Sequence, residues 1–134
     1  MESLMATTSP APSSRAVVRN PANPDHFMVI EPVRGRVRFF VGERLIAASD
    51  AALEVREVGR KTYDPVLYVP AADLAVELQP TARTSHCPLK GDATYYALDG
   101  EEIGWAYVTP FAFAGALAGC HAFWPSKVRV EQPA

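Results

Sequence analysis

The chain reads as mainly β, a set of antiparallel strands with one short helix near residues 110–118. Three observations carry that reading. Short apolar runs alternate with polar residues at period two, the mark of half-buried strands. Asp99-Gly100 sits between two such runs and supplies residues that tolerate positive φ in a tight hairpin. Pro110 and Gly119 bracket one Ala- and Phe-rich segment as start and stop signals of a helix.

The first 25 residues, rich in Ser, Pro, Ala and Thr, lack a continuous apolar run and read as a disordered leader. Arg15 and Arg19, with Glu2 as the single early acid, leave a transit-peptide reading beside it. The folded part is expected to begin at His26 and to run as one domain to residue 131. Met28 to Glu31 forms a first strand. Val37, Phe39 and Val41 alternate with Arg36, Arg38 and Phe40 in the next, and Gly42-Glu43 separates it from Arg44 to Ala48 at hairpin spacing. Ser49-Asp50 is placed to cap a helical turn before Leu53 and Val55, which alternate with Glu54 and Arg56. Val66 to Val69 is a strand ended by Pro70, which cannot donate to a ladder. Leu74, Val76 and Leu78 alternate with Asp73, Ala75 and Glu77 as a further half-buried strand. Thr94 to Leu98 and Ile103 to Val108 flank the Asp99-Gly100 turn. In the helix, Thr109 is the N-cap, and Phe111, Phe113, Ala114 and Leu117 point inward. His121 to Trp124 and Lys127 to Val130 complete the strands.

Composition limits function. A chain of 134 residues with net charge -2 has no electrostatic case for nucleic acid or for an anionic membrane. The uncharged stretch from Gly104 to Ser126 has spanning length but is interrupted by Pro110, Gly115, Gly119, His121 and Pro125, which excludes a transmembrane helix. Two cysteines, Cys87 and Cys120, cannot make a disulfide framework, and the address expected is cytoplasmic.

Chemistry concentrates between Arg83 and Tyr96. Cys87 precedes Pro88 and is biased to extended backbone. Gly91-Asp92 turns the chain into the strand that holds Tyr95 and Tyr96. Cys87 is the candidate nucleophile, with Lys90 and His86 nearby in sequence; the alternative is a thiol that only fills space or lines a ligand site. His86 need not touch that sulfur, because adjacent residues of an extended chain point to opposite faces. Lys90 is either a cation at a pocket mouth, orienting a carboxylate or phosphate, or a solvated turn lysine. Cys120 beside Gly119 reads as packed and inert. The pairs His86-Cys87 and Cys120-His121 lack the two-to-four-residue spacing of zinc knuckles, so no metal is expected. Asp99, Glu101 and Glu102 are solvated residues of a hairpin tip. No Gly-x-Ser-x-Gly elbow, His-Glu-x-x-His pair or phosphate loop is present.

The run from Val37 to Ala47, Leu67-Tyr68-Val69-Pro70 with Asp73, Thr84 to Gly91, Tyr95-Tyr96, Trp105-Ala106-Tyr107 and Gly119 to Trp124 together resemble the domain-of-unknown-function family numbered 427. The resemblance covers His26 to Val130, and its most specific part is Cys-Pro-x-Lys-Gly followed by tyrosine. It implies coiled antiparallel sheets of β-tent type with one short helix, an architecture whose members include zinc-binding and small-ligand-binding proteins. The zinc cysteines of those relatives are absent here. Some members carry a nucleotidyltransferase label. That chemistry needs carboxylates for magnesium and a phosphate cradle, and the sequence offers neither. Cys120 and His121 depart from the aromatic or aliphatic residues expected there.

The resulting expectation is a small-molecule-binding domain without a cofactor, monomeric or homodimeric. Its pocket is lined by Tyr68, Cys87, Lys90, Tyr96, Trp105 and Tyr107. An enzyme using Cys87 with Lys90 or His86, and a protein-interaction module using a free sheet edge, are the alternatives.

Overall fold

The computed structural model describes residues 15–59 and 61–133. Eleven strands are present among them: β1 (Ala16–Asn20), β2 (Asn23–Pro32), β3 (Val37–Val41), β4 (Arg44–Ser49), β5 (Leu53–Val58), β6 (Val66–Pro70), β7 (Gln79–Cys87), β8 (Gly91–Leu98), β9 (Glu101–Ala106), β10 (Cys120–Phe123) and β11 (Arg129–Glu131). Eight form one sheet in the order β1-β2-β5-β6-β10-β9-β8-β7, and three form a second in the order β11-β3-β4. All neighbours in both sheets run antiparallel. The fold is thus mainly β and antiparallel, as the alternation predicts.

The two faces of the large sheet bury different residues, because successive side chains leave a strand on opposite sides. One face gathers Met28, Ile30, Leu53, Val55, Tyr68, Tyr107 and Ala122, and is closed by Leu89, Ala114 and Leu117. The other gathers Val69, Leu98, Ile103 and Phe123 against Val37, Phe39 and Ile46 of the small sheet. Gly104 makes the close pairing of β9 with β10 possible, since a Cβ there would lie 2.0 Å from the Ala122 carbonyl oxygen. The outer strands of the large sheet also approach each other: Asn20 at the end of β1 donates its side-chain amide to the Pro88 carbonyl oxygen at 3.0 Å, in the turn between β7 and β8. The sheet therefore curls around its first face.

Several expectations need correction. The fold begins before His26, because β1 starts at Ala16 and pairs with β2 from Ala16↔Ile30 onward. The rest of the predicted leader, residues 1–14, lies outside the described residues. Ser49 caps no helical turn. It is the last residue of β4, accepts from the Ala51 amide at 2.9 Å and donates to the Asp73 carboxylate at 2.6 Å. Leu74, Val76 and Leu78 do pack partly buried on the second core, but only Leu74 makes a bridge, to Ala47, after a 3-10 turn at Ala71–Asp73. The alternation there reports burial without a ladder.

The helix is a 3-10 segment at Ala112–Leu117, broken at Ala114, and it starts beyond Thr109 and Pro110. Its preceding residue, Phe111, donates its amide to the Lys90 carbonyl oxygen at 2.9 Å, a tertiary partner for a donor that a helix start leaves unsatisfied. Ala114 and Leu117 are buried, whereas Phe111 and Phe113 are over a third exposed and stack on each other with centroids 5.3 Å apart. The helical stop signal holds, with Gly119 at φ 72°. So does the Asp99-Gly100 turn, with both residues at positive φ, 52° and 86°.

Candidate functional site

The turn joining β7 to β8 is Pro88-Leu89-Lys90, and it points into the protein. Leu89 is fully buried in the first core and Lys90 is only 5% exposed, both unusual for turn residues. The turn is clamped from both sides, by Asn20 on Pro88 and by the Phe111 amide on Lys90. Gly91 closes it at φ 116°, a backbone that L side chains avoid. A Cβ there would also sit 3.2 Å from the Phe111 nitrogen. The Cys-Pro-x-Lys-Gly motif is therefore a device for driving a leucine and a lysine inward.

Lys90 Nζ hydrogen-bonds Glu57 Oε1 on β5, and the other carboxylate oxygen, Oε2, lies 2.7 Å from His26 Nε2 on β2. Burial alone would raise the Glu57 carboxyl. The hydrogen bonds from Lys90 and His26, with their charges, outweigh it and hold the group below its ordinary value. Gly59 gives the His26 ring room, since a Cβ there would touch Cδ2 at 3.3 Å. Cys87 Sγ lies 3.9 Å from Lys90 Nζ.

Lys90, Glu57 and Cys87 form one wall of a cavity of about 290 Å³. Its other walls are Val55, Val66, Tyr68, Tyr95, Trp105, Tyr107 and Trp124, with Tyr63 and Asp64 also lining it. A second hollow of about 510 Å³ adjoins it, sharing Glu57, Tyr63 and Cys87 and adding Asp25, His26 and His86. The aromatic rings brace one another. Tyr95 stacks on Trp124 at 5.6 Å, Trp105 tilts against Trp124 at 5.6 Å, and Tyr68 lies 6.4 Å from Tyr107. Burial raises the phenols of Tyr68 and Tyr107 above their ordinary value, so both stay neutral hydroxyls at physiological pH.

Of the predicted lining, Tyr68, Cys87, Lys90, Trp105 and Tyr107 share this cavity and Tyr96 does not. Tyr96 lies against the His121 ring at 4.6 Å, and Tyr95 takes its place in the cavity. A bulge causes the exchange. A regular two-residue hairpin starting at Leu98↔Glu101 would pair Trp105 with Thr94, on the face of Tyr96. Ile103 is left without a partner between Ala97↔Glu102 and Tyr96↔Gly104, so Trp105 faces Tyr95 instead. His86 turns outward, Nδ1 2.7 Å from Asp92 Oδ1, and Lys90 rather than His86 adjoins the sulfur. Lys90 is not a solvated lysine, and its charge is already engaged by Glu57.

His26 and Glu57 are the residues that the sequence reading missed. The signal was present: His26 shares parity with Met28 and Ile30, and Glu57 with Leu53 and Val55, so both fall on inward positions of their strands. Among the described residues no cluster of side chains fits a metal ion, and no helix is long and apolar enough to cross a membrane. Cys120 is buried in the first core, and burial pushes its thiol up to about 11.

The architecture and motif define a β-sheet domain built around an inward-turned Cys-Pro-x-Lys-Gly loop. Residues 29–133 match the family model described as Domain of unknown function (DUF427), and the chain belongs to that family. No curated protein sequence matches the chain.

Two groups make the fold sensitive to acid. Burial lowers the His121 imidazole below its ordinary value, and its Nδ1 has no partner among the described residues. Glu57 is also lowered. In both cases the unfolded chain binds the proton first, so their stabilisation is complete above the unfolded value and falls as pH drops through the folded one. For His121 the loss begins near pH 6.5, and for Glu57 near pH 4.5. Urea denaturation midpoints of the wild type and His121→Phe should therefore diverge with pH, the wild type losing more between pH 7 and 5. Parallel curves would contradict the buried neutral imidazole.

Proposed function

We propose that this domain binds a small molecule in the aromatic cavity beside the Cys-Pro-x-Lys-Gly loop. The observation that carries the reading is the convergence of six segments on one hollow: Tyr68 from β6, Cys87 from the end of β7, Lys90 from the β7–β8 turn, Tyr95 from β8, Trp105 from β9 and Trp124 after β10. Rings that pack on the first core also surround open space. A hollow of about 290 Å³, apolar with a few placed polar groups, is the usual form of a site for a compact metabolite. Trp105 provides the central wall. In a thermal-shift screen of small metabolites, a ligand should raise the wild-type midpoint by several degrees, and Trp105→Ala should abolish that rise while remaining folded. A blank screen, or hits that survive the substitution, would count against the site.

A second reading uses the same cavity for chemistry, with Cys87 as a nucleophilic or redox-active thiol. It is favoured by the Lys90 ammonium 3.9 Å from the sulfur, an adjacent cation of the kind that favours a thiolate, although Glu57 shares that charge. Cys87 is half-buried in the cavity wall, whereas Cys120 is buried in the core. On that reading iodoacetamide at neutral pH should alkylate Cys87 at least about tenfold faster than Cys120 and faster than a free peptide thiol. Equal, slow labelling, followed by peptide mass analysis, would remove the enzyme reading and leave the binding one.

A further inference from the structure

The charge and ring content of the cavity point to a ligand class, and we infer that the occupant is a small organic cation, an amine or quaternary ammonium group held by aromatic faces. This inference rests on the binding reading above and narrows it. It also reverses the expectation that Lys90 orients a carboxylate or phosphate.

Lys90 cannot act as a free anion receptor, because its ammonium is bonded to Glu57 inside the protein, with side-chain exposures of 6% and 17%. An incoming anion would have to break that pair and would meet the Glu57 carboxylate in doing so. With Lys90 and Glu57 cancelling, the remaining charged group among the described lining residues is Asp64, an acid. The charged lining residues therefore sum to one negative charge, and the Arg83 guanidinium that lies over Tyr95 is itself paired with Glu102 at 2.7 Å.

The rings act in the same sense. Tyr, Trp and Phe faces carry negative quadrupole density that attracts cations, most strongly where water is excluded. Tyr68, Tyr95, Trp105, Tyr107 and Trp124 line one cavity. Burial keeps the Tyr68 and Tyr107 hydroxyls neutral, so these two rings add no phenolate charge to that attraction. Two cations of the chain already lie over rings of this cluster: the Arg83 guanidinium is 4.0 Å from the Tyr95 centroid, and Lys90 Nζ is 6.0 Å from that of Tyr107. A compact alkylammonium can use ring faces in the same way and has Asp64 as its counter-charge. A neutral molecule of the same shape gains only the burial.

The chain has two tryptophans, Trp105 and Trp124, and both line the cavity, so all of its tryptophan emission reports on this site. Choline, its neutral isostere dimethylbutanol (carbon in place of nitrogen) and the anion trimethylacetate should be titrated separately into the full chain while tryptophan fluorescence is followed. Choline is expected to change the emission saturably. The isostere should bind about tenfold more weakly and the anion not at all. Asp64→Asn, at an exposed rim position, should weaken choline about threefold to tenfold with no change in thermal midpoint. Equal binding of choline and the isostere, or preference for trimethylacetate, would overturn the cation assignment while leaving a small-molecule site. Failure of all three probes, together with a blank metabolite screen, would overturn both.

Discussion

An ammonium and a carboxylate, Lys90 of the β7–β8 turn and Glu57 of β5, meet inside this protein from distant parts of the sequence, and the site depends on that contact. Burying either charge alone would cost several kcal/mol, whereas the pair with an additional hydrogen bond from His26 is tolerable. The cost explains the local sequence. A lysine can turn inward only if the backbone carries it there. Proline before it, glycine after it and the clamps from Asn20 and Phe111 do so. Once Lys90 is anchored on β5, the β7–β8 loop is tied to the opposite side of the curled sheet, and Cys87 is held at the cavity wall.

The hollow follows from the same constraint. Leu89 fills the first core beneath the loop, so the space above it, between Glu57 and the ring cluster, is left open. The ring cluster is stiff because its members stack on one another and Arg83 lies over Tyr95. Walls braced in this way are preorganised, so the proposed binding would demand little further side-chain order.

Much of this was legible in the residues. Period-two alternation gave most strands, the Asp99-Gly100 hairpin formed as its chemistry demands, and Tyr68, Cys87, Lys90, Trp105 and Tyr107 meet as the motif suggested. What was not legible depends on single-residue register and on long-range pairing. The unpaired Ile103 exchanges Tyr95 for Tyr96, and its one sequence mark is Gly104 inside β9, which fits a bulge but does not fix its register. Val76 and Leu78 alternate like a strand yet gain burial without partners, because hydrophobic contact does not require a ladder. The short helix forms between its start and stop signals as a 3-10 segment, but Phe111 and Phe113 lie on its outer side, which their apolar character does not foretell. His26 and Glu57 are marked by parity alone, as polar residues at inward positions of their strands.

The organising role of the buried pair can be measured by a double-mutant cycle on Lys90→Met and Glu57→Gln, with stability taken from urea denaturation at pH 7. Each single change should cost about 3 kcal/mol or more, since it strands a buried partner, and the double variant should recover at least about 2 kcal/mol of their sum. Additive losses, with no coupling between the two positions, would mean that the loop is held by its apolar contacts and that the ion pair is incidental.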